Sequence, residues 1–251
     1  MTGLAIRQPA DVPLVSVRTR DGNRLQQREL ELLATFEPDD LLPIREPRAR
    51  KGQINIPGLF WMSKMKDFVW YESRLEMVIL KEIDFDPSTD AVVPQPCQLY
   101  LKTPEGVIRH TPDFLVWRRG RRRRLVNVKA RRYLDRPKNQ LAFGLCQAAA
   151  AHIGFDYSTE SEPAPAFLRN LNWLAGYRRC PLRFREFSDP LIERAVKPVA
   201  LAPLIKGIGP EALVRPVLFH LLWLQQLTID MNRVLRNDSL VGVNVAQHVS
   251  P

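Results

Sequence analysis

Apolar residues change their spacing several times along this chain, and each change predicts an element. Over residues 71–83 (YESRLEMVILKEI), Leu75, Val78, Ile79 and Glu82 recur at helical spacing, with Glu72 and Glu76 four apart on another face. The turn-rich DFDPSTD that follows predicts the end of that helix. Residues 91–102, 107–117 and 123–130 read as strands, separated by turns at Pro104-Glu105-Gly106 and at Gly120. Pro94 and Pro96 predict that the first strand is irregular or near an edge, because proline has no N–H to give to a ladder. Residues 138–153 (KNQLAFGLCQAAAAHI) are alanine-rich and predict a helix in spite of Gly144, and residues 155–158 predict a short further strand. Helix, three strands, helix, strand is the order of a compact α/β unit.

The flanks differ from this middle block. Residues 1–65 are rich in proline, arginine and aspartate and hold little sustained periodicity. Within them, residues 25–36 (LQQRELELLATF) predict a short helix, and residues 43–56, with Arg45, Arg48, Arg50 and Lys51, predict an extended basic arm. Beyond SEPAPAF the pattern predicts helices near residues 167–177 and 190–197 and an apolar one over 211–226. Two short β-type runs then flank Arg236-Asn237-Asp238. Helices followed by a hairpin suit a winged helix-turn-helix and equally any small α+β domain. His220 and Trp223, three apart on the apolar helix, read as packing residues. The expected division is a basic N-terminal arm (1–65), an α/β core (66–160) and a C-terminal helical domain (161–251).

Composition narrows the function classes. With 251 residues, 45% of them hydrophobic, the chain can bury one large core or two modest ones. The longest apolar run, residues 216–224, is interrupted by His220 and falls well short of the roughly 20 residues of a membrane span. The opening MTGLAIRQPADVPL lacks the charged head and apolar core of a signal peptide. Three widely separated cysteines (Cys97, Cys146 and Cys180) make neither a disulfide framework nor a zinc spacing, which predicts a reducing, cytoplasmic setting. A formal net charge of +10 points to a polyanionic partner, nucleic acid before membrane.

The candidate chemistry gathers in HTPDFLVWRRGRRRRLVNVKARR, residues 110–132. In the strand that ends it, Leu125, Asn127 and Lys129 share one face, while Val126, Val128 and Ala130 share the other. Asp113 follows Pro112 on the neighbouring strand. At its plainest, an acid opposite a lysine is a cross-strand ion pair worth about 0.2–1 kcal/mol. Glu76 on the preceding helix adds a second carboxylate. Two carboxylates suit Mg²⁺, which takes oxygen ligands and keeps several waters, and a lysine beside such an ion steadies charge developing on a phosphate. Glu76 is preferred to Glu72 because it stands among Leu75, Val78 and Ile79, where a solvated acid is out of place. His110, on the opposite face of a regular strand from Asp113, reads as structural or phosphate-contacting, and Gln95 as a loop amide.

Glutamate on a helix, then Pro-Asp, then a lysine on the next strand is the order of the PD-(D/E)xK nucleases. Taken with it, YESRLE, FDP, QP, HTPDFLVW and VNVKA, and further along NLNWLAGYRR and VLFHLLWLQQLTIDM, resemble the TnsA-like endonuclease subunit of heteromeric cut-and-paste transposases. The resemblance runs over residues 58–243. It implies a restriction-endonuclease-like α/β core followed by a winged-helix-like helical domain. It gives the helix-carboxylate role to Glu76, the central metal-ligand role to Asp113 and the catalytic-lysine role to Lys129. Asn127 falls where most of the superfamily carries Glu or Asp, so one negative ligand is missing, and the backbone carbonyl of Val128 is the substitute. The implied cofactor is Mg²⁺, with Mn²⁺ as a replacement. The implied reaction is hydrolysis of one DNA strand at the 5′ ends of the element. The implied partners are double-stranded transposon ends, a DDE-type transposase that cuts the other strand, and an AAA+ regulator.

The arginines complete the picture. Arg118, Arg119, Arg121, Arg122, Arg123 and Arg124 flank one turn, and Arg131 and Arg132 extend the stripe beyond Lys129. So many like charges need an anion or solvent between them, which predicts salt-dependent contacts with DNA phosphates. Two other readings stay open. One is a stand-alone nuclease of the restriction or repair type; the other is a catalytically silent DNA-binding assembly subunit, motivated by Asn127.

Overall fold

The computed structural model describes residues 13–45, 56–179 and 186–244. They fall into two compact units, both built of helices and sheets in an α/β architecture. One unit runs to Ile79 and resumes over Ser88–Glu162; the other takes Leu80–Pro87 and the chain from Pro163 onward.

The first unit begins with strands where an arm was expected. β1 (Leu14–Thr19) and β2 (Arg24–Glu29) form an antiparallel hairpin, followed by a 3-10 turn over Leu30–Thr35 and the short β3 (Leu41–Leu42). Val15, Val17, Leu30 and Leu33 are fully buried, so this segment is part of the core. The helix expected over 25–36 is half strand and half 3-10 turn. Its first half, RLQQRE, has one apolar residue and takes its hydrogen bonds from β1, a pairing that local periodicity does not reveal. Arg48, Arg50 and Lys51 of the expected basic arm lie outside the described residues. β4 (Gly58–Met62) and β5 (Asp67–Tyr71) make a separate hairpin.

α1 (Arg74–Phe85) leads into β6 (Thr89–Pro94), β7 (Cys97–Thr103), β8 (Gly106–His110), β9 (Phe114–Arg118) and β10 (Arg124–Val128). Two of the expected strands are each broken in two beside a proline. Pro96 follows Gln95, whose φ is a left-handed 43°, and Pro112 precedes Asp113. Proline cannot donate and restrains its preceding residue, so the ladder gives way there. The two breaks face each other across one bent hairpin, with the Gln95 N–H donating to the Asp113 carbonyl at 2.8 Å.

The chain changes sheet at these breaks. β7 and β8 extend a sheet ordered β2-β1-β7-β8. β6, β9 and β10 form a second sheet that is completed, after α2 (Pro137–His152), by β11 (Asp156–Glu160). β9 is antiparallel to both β6 and β10, and β11 is parallel to β10 across the helical crossover that a parallel pair requires. Leu99 and Leu101 from the first sheet, Leu115 and Leu125 from the second, and Cys146, Ala149 and Ala150 from α2 share one core. Burying a leucine such as Leu125 stabilises the unit by about 2 kcal/mol. The small α2 side chains let the helix lie close to the sheet.

In the second unit, α3 (Pro165–Leu174), α4 (Ser188–Arg194), the two-residue β12 (Val199–Ala200), α5 (Leu201–Ile205) and α6 (Glu211–Trp223) precede β13 (Leu227–Thr228) and β14 (Leu240–Val243). The strands form an antiparallel sheet ordered β12-β14-β13, so the expected terminal hairpin gains a third strand. β12 and α5 are too short to show a period in sequence. Leu171, Leu191, Leu204, Val217 and Leu222 lie in the helical core. Buried Asn170 clamps the loop between β13 and β14, donating to the carbonyls of Met231 and Arg233 and accepting from the Leu235 N–H. His220 meets the Tyr177 carbonyl at 2.7 Å and Trp223 is buried, so both are packing residues. Among the described residues no helix is long and apolar enough to cross a membrane.

Candidate active site

Asp113 occupies the gap between β8 and β9. Its N–H donates to the Val126 carbonyl at 2.9 Å, and its Oδ2 accepts the Val128 N–H at 2.6 Å. The side chain thus serves as an acceptor for β10 where the strand beside it is broken. Part of its surface stays accessible, yet protein atoms crowd it on nearly every side. Its pKa is pushed up to about 7. Burial is the largest cause and the charge on Glu76 the next; Glu72 adds to them, and the Val128 N–H and Lys129 pull the other way.

Glu76 sits in the first turn of α1. Its N–H donates to Ser73 Oγ at 3.2 Å, its Oε1 accepts from the Ser73 hydroxyl at 2.8 Å, and its Oε2 accepts the Glu72 N–H at 2.7 Å. This reciprocal cap starts the helix and is the plainest task for the residue. Glu76 is nevertheless 8% exposed, and burial raises its pKa; the two capping bonds and Arg45 oppose that shift, while Glu72 reinforces it. Each capped oxygen keeps a second lone pair. Glu72 lies in the bend before α1, and of the two acids Glu76 acts more strongly on Asp113.

Val128 and Lys129 complete the group. The N–H and C=O of a strand residue point to the same edge, so the Val128 carbonyl lies on the edge of β10 that faces Asp113. Lys129 is half-buried, is anchored by its N–H to the Glu160 carbonyl at 2.8 Å, and acts through its charge on both Asp113 and His110. Glu76, Asp113, Val128 and Lys129 are therefore neighbours in an electrostatic sense, drawn from three separate elements.

Asn127 is engaged at both ends of its amide. It is 1% exposed; its Nδ2 donates to Tyr157 Oη at 2.8 Å, and its Oδ1 lies 2.9 Å from His110 Nε2. Tyr157 Oη in turn pairs with Thr159 Oγ1 at 3.0 Å. With the amide nitrogen on Tyr157, the Asn127 oxygen faces His110 Nε2, which is the donor in the tautomer that carries its hydrogen there. Burial lowers the His110 pKa; Lys129 and Arg45 act in the same direction and the Asn127 bond against them, leaving a neutral imidazole at pH 7. The expectation that His110 faces away from this site fails because the strand is not regular: it ends at His110 and restarts at Phe114.

Three participants escaped the sequence reading. Arg45, just beyond buried Ile44, acts on Glu76 and His110, although it reads as one charge of a basic arm. Tyr157 and Thr159 face Asn127 through the parallel register Leu125↔Tyr157 and Asn127↔Thr159. The alternation in DYSTE was the available signal for those two.

The arginine run divides into distinct roles. Arg118 is ion-paired with Asp156, donates to the Arg122 carbonyl at 2.7 Å, and has a side chain 7% exposed. Arg123 donates to the carbonyls of Ala34 and Phe36, pairs with Glu37 at 2.7 Å, and lies over the rings of Trp117 and Phe155. These two hold the fold. Arg119 pairs with Asp90 at 2.7 Å, Arg124 approaches Glu160 at 4.0 Å, and Arg131 donates to the Glu162 carbonyl. Arg132 stacks over Tyr133. Arg121 and Arg122 project from the turn built on Gly120, whose φ is 64°, and both are exposed.

Among the described residues no three His, Cys, Asp or Glu side chains form a ready metal site. The oxygen donors linked here, Asp113 to the Val128 edge by a hydrogen bond and Glu76 to Asp113 by charge, are a hard set suited to Mg²⁺ or Mn²⁺. Burial raises the pKa of both acids, and the charge on Glu76 adds to the shift at Asp113, a demand that a cation would relieve. Cys97 and Cys146 are buried free thiols, and burial pushes the latter up to about 12, so neither is a thiolate nucleophile. Cys180 lies outside the described residues. Comparison with known protein families and with curated proteins finds no match to this chain.

Proposed function

We propose that this chain is a divalent-metal-dependent DNA endonuclease of the PD-(D/E)xK type, working as the TnsA-like strand-cutting subunit of a cut-and-paste transposase. One observation carries the reading: Asp113 is held by β10 at a pKa of about 7, with the Glu76 carboxylate and the Lys129 ammonium both acting on it. The arrangement of α1, antiparallel β6-β9-β10, α2 and parallel β11 agrees with the core that the sequence resemblance implies. The helices and three-stranded sheet of the second unit suit a winged-helix-like domain.

Glu76, Asp113 and the Val128 carbonyl would hold Mg²⁺. When bound, the ion supplies a Lewis acid for the phosphate and an acidified water. Lys129 stabilises negative charge that builds on the phosphoryl oxygens. Asn127, pinned by His110 and Tyr157, keeps the lysine-bearing strand in place. Arg121 and Arg122 contact neighbouring phosphates. The water oxygen bonds to phosphorus as the P–O3′ bond breaks, leaving 3′-hydroxyl and 5′-phosphate ends.

A second reading has its own support. Glu76 already caps a helix with both carboxylate oxygens and Asn127 serves as a network amide, which suits a silent DNA-binding assembly subunit. Nicking of a supercoiled plasmid bearing the element end, with Mg²⁺ or Mn²⁺, separates the possibilities. Cutting only when a DDE-type transposase is added supports the proposal. Cutting by the chain alone points to a stand-alone nuclease, and no cutting in either mixture points to the silent subunit.

A further inference from the structure

Gln95 is 1% exposed, and neither its Nε2 nor its Oε1 finds a hydrogen-bond partner. A buried amide with both ends unmet is rare in a folded protein and asks for an explanation. Its backbone is constrained too: φ is 43°, a region in which a residue with a Cβ is strained. Two main-chain bonds impose that conformation. The Gln95 N–H donates to the Asp113 carbonyl at 2.8 Å, and the Gln95 carbonyl accepts the Ile44 N–H at 2.9 Å. The first partner is the central acid of the site. The second precedes Arg45, whose charge reaches Glu76 and His110.

A sequence relaxed for stability alone would place glycine at this bend, or an apolar side chain in this enclosure. The chain does neither. Strain and unmet polarity on one residue, bonded directly to Asp113, are the marks of a position kept for a ligand. We propose that Gln95 is a substrate-binding residue of the Asp113 site, its amide reserved for an oxygen of the DNA phosphodiester. This rests on the nuclease reading above. A phosphodiester oxygen only accepts, so Nε2 is the donor toward it. An ordered water is the other oxygen that could fill the place.

The test uses Gln95→Leu, which removes the polarity, and Gln95→Gly, which also relieves the left-handed backbone and serves if the leucine variant does not fold. Three quantities are read on the full chain: melting temperature without DNA, affinity for a short mixed-sequence duplex with Ca²⁺ in place of Mg²⁺, and plasmid nicking. Gln95→Leu is expected to melt about 2–4 °C higher than wild type. It should bind the duplex about tenfold more weakly, as for loss of a hydrogen bond to a charged group, and nick more slowly by at least that factor. A raised melting temperature with unchanged affinity and nicking would make Gln95 a packing defect and overturn the proposal. A lowered melting temperature with unchanged affinity would assign the amide to a structural water, which also overturns it. If wild type does not nick while both variants lose affinity, the nuclease reading fails and Gln95 stands as a DNA contact.

Discussion

β9 and β10 are five residues each, and their two ends handle buried charge in opposite ways. At the arginine end, Arg118 and Arg123 are largely buried, but each has its own acceptors: Asp156 and a carbonyl for one, Glu37 and two carbonyls for the other. At the carboxylate end, the charge on Glu76 bears on half-buried Asp113, and the Gln95 side-chain amide is enclosed without a partner. The first end carries more charge but sets each of these guanidiniums against an acid, although Thr89 Oγ1, Trp117 Nε1 and Arg124 Nε there also lack partners. The lesson is that a density of like charges in sequence does not mark a site; an acid whose pKa the fold raises by burial and by a second acid is the better guide.

The largest test of this contrast is catalytic. Asp113→Ala and Lys129→Ala should each lower plasmid nicking by on the order of 10³-fold or more while the circular dichroism spectrum is unchanged. Full activity in either variant would detach the chemistry from the carboxylate end. At the other end the same kind of truncation should strike the fold. Arg123→Ala removes three hydrogen bonds and two ring contacts, and should cost about 2–4 kcal/mol in urea denaturation. Wild-type stability in that variant would mean that the paired end is not holding the core.

A smaller effect concerns pH. The folded-state pKa of Asp113, about 7, lies above its ordinary 3.8, so the folded chain binds the extra proton between those values. Its contribution to stability is present below about pH 4 and is lost as pH rises through 7. Asp113→Asn removes that dependence and keeps an acceptor for the Val128 N–H. It should be more stable than wild type at pH 8 by about 1–2 kcal/mol, allowing for the partial solvent access of the carboxylate, and equal to it near pH 4. A constant difference across that range would contradict the burial of a strained acid. Smallest of all, Arg121→Ala with Arg122→Ala should reduce the slope of log affinity against log salt by about 2, with no change in melting temperature. An unchanged slope would make the tip of the turn a merely solvated one.

What could be read from sequence depended on how local its cause was. α1 follows from apolar spacing, α2 from its alanines and α6 from its apolar run, and the turns at Gly106 and Gly120 follow from glycine. β2 did not, because its hydrogen bonds come from β1 and its own residues are mostly exposed. The prolines gave notice of trouble near Gln95 and Asp113. That the chain would change sheets there depends on the cross-hairpin bond between those two residues, which no local pattern encodes. In the site, Asp113 and Lys129 were legible from Pro-Asp and from strand alternation. The cap that occupies Glu76 was spelled in Ser73-Arg74-Leu75-Glu76 but is visible only when the hydrogen bonds are seen. The division of the arginines was not legible at all, since Ala34, Glu37 and Asp156 are distant in sequence from the residues they satisfy.

The central claim is that Glu76 and Asp113, with the Val128 edge beside them, form a place for one hard divalent cation. Titration of Mn²⁺ into the full chain, followed by the loss of the free-ion electron paramagnetic resonance signal, tests it without any need for the DNA sequence or the partner. Wild type should show one saturable site and Asp113→Asn none. Equal binding by both proteins, or none by wild type, would contradict it.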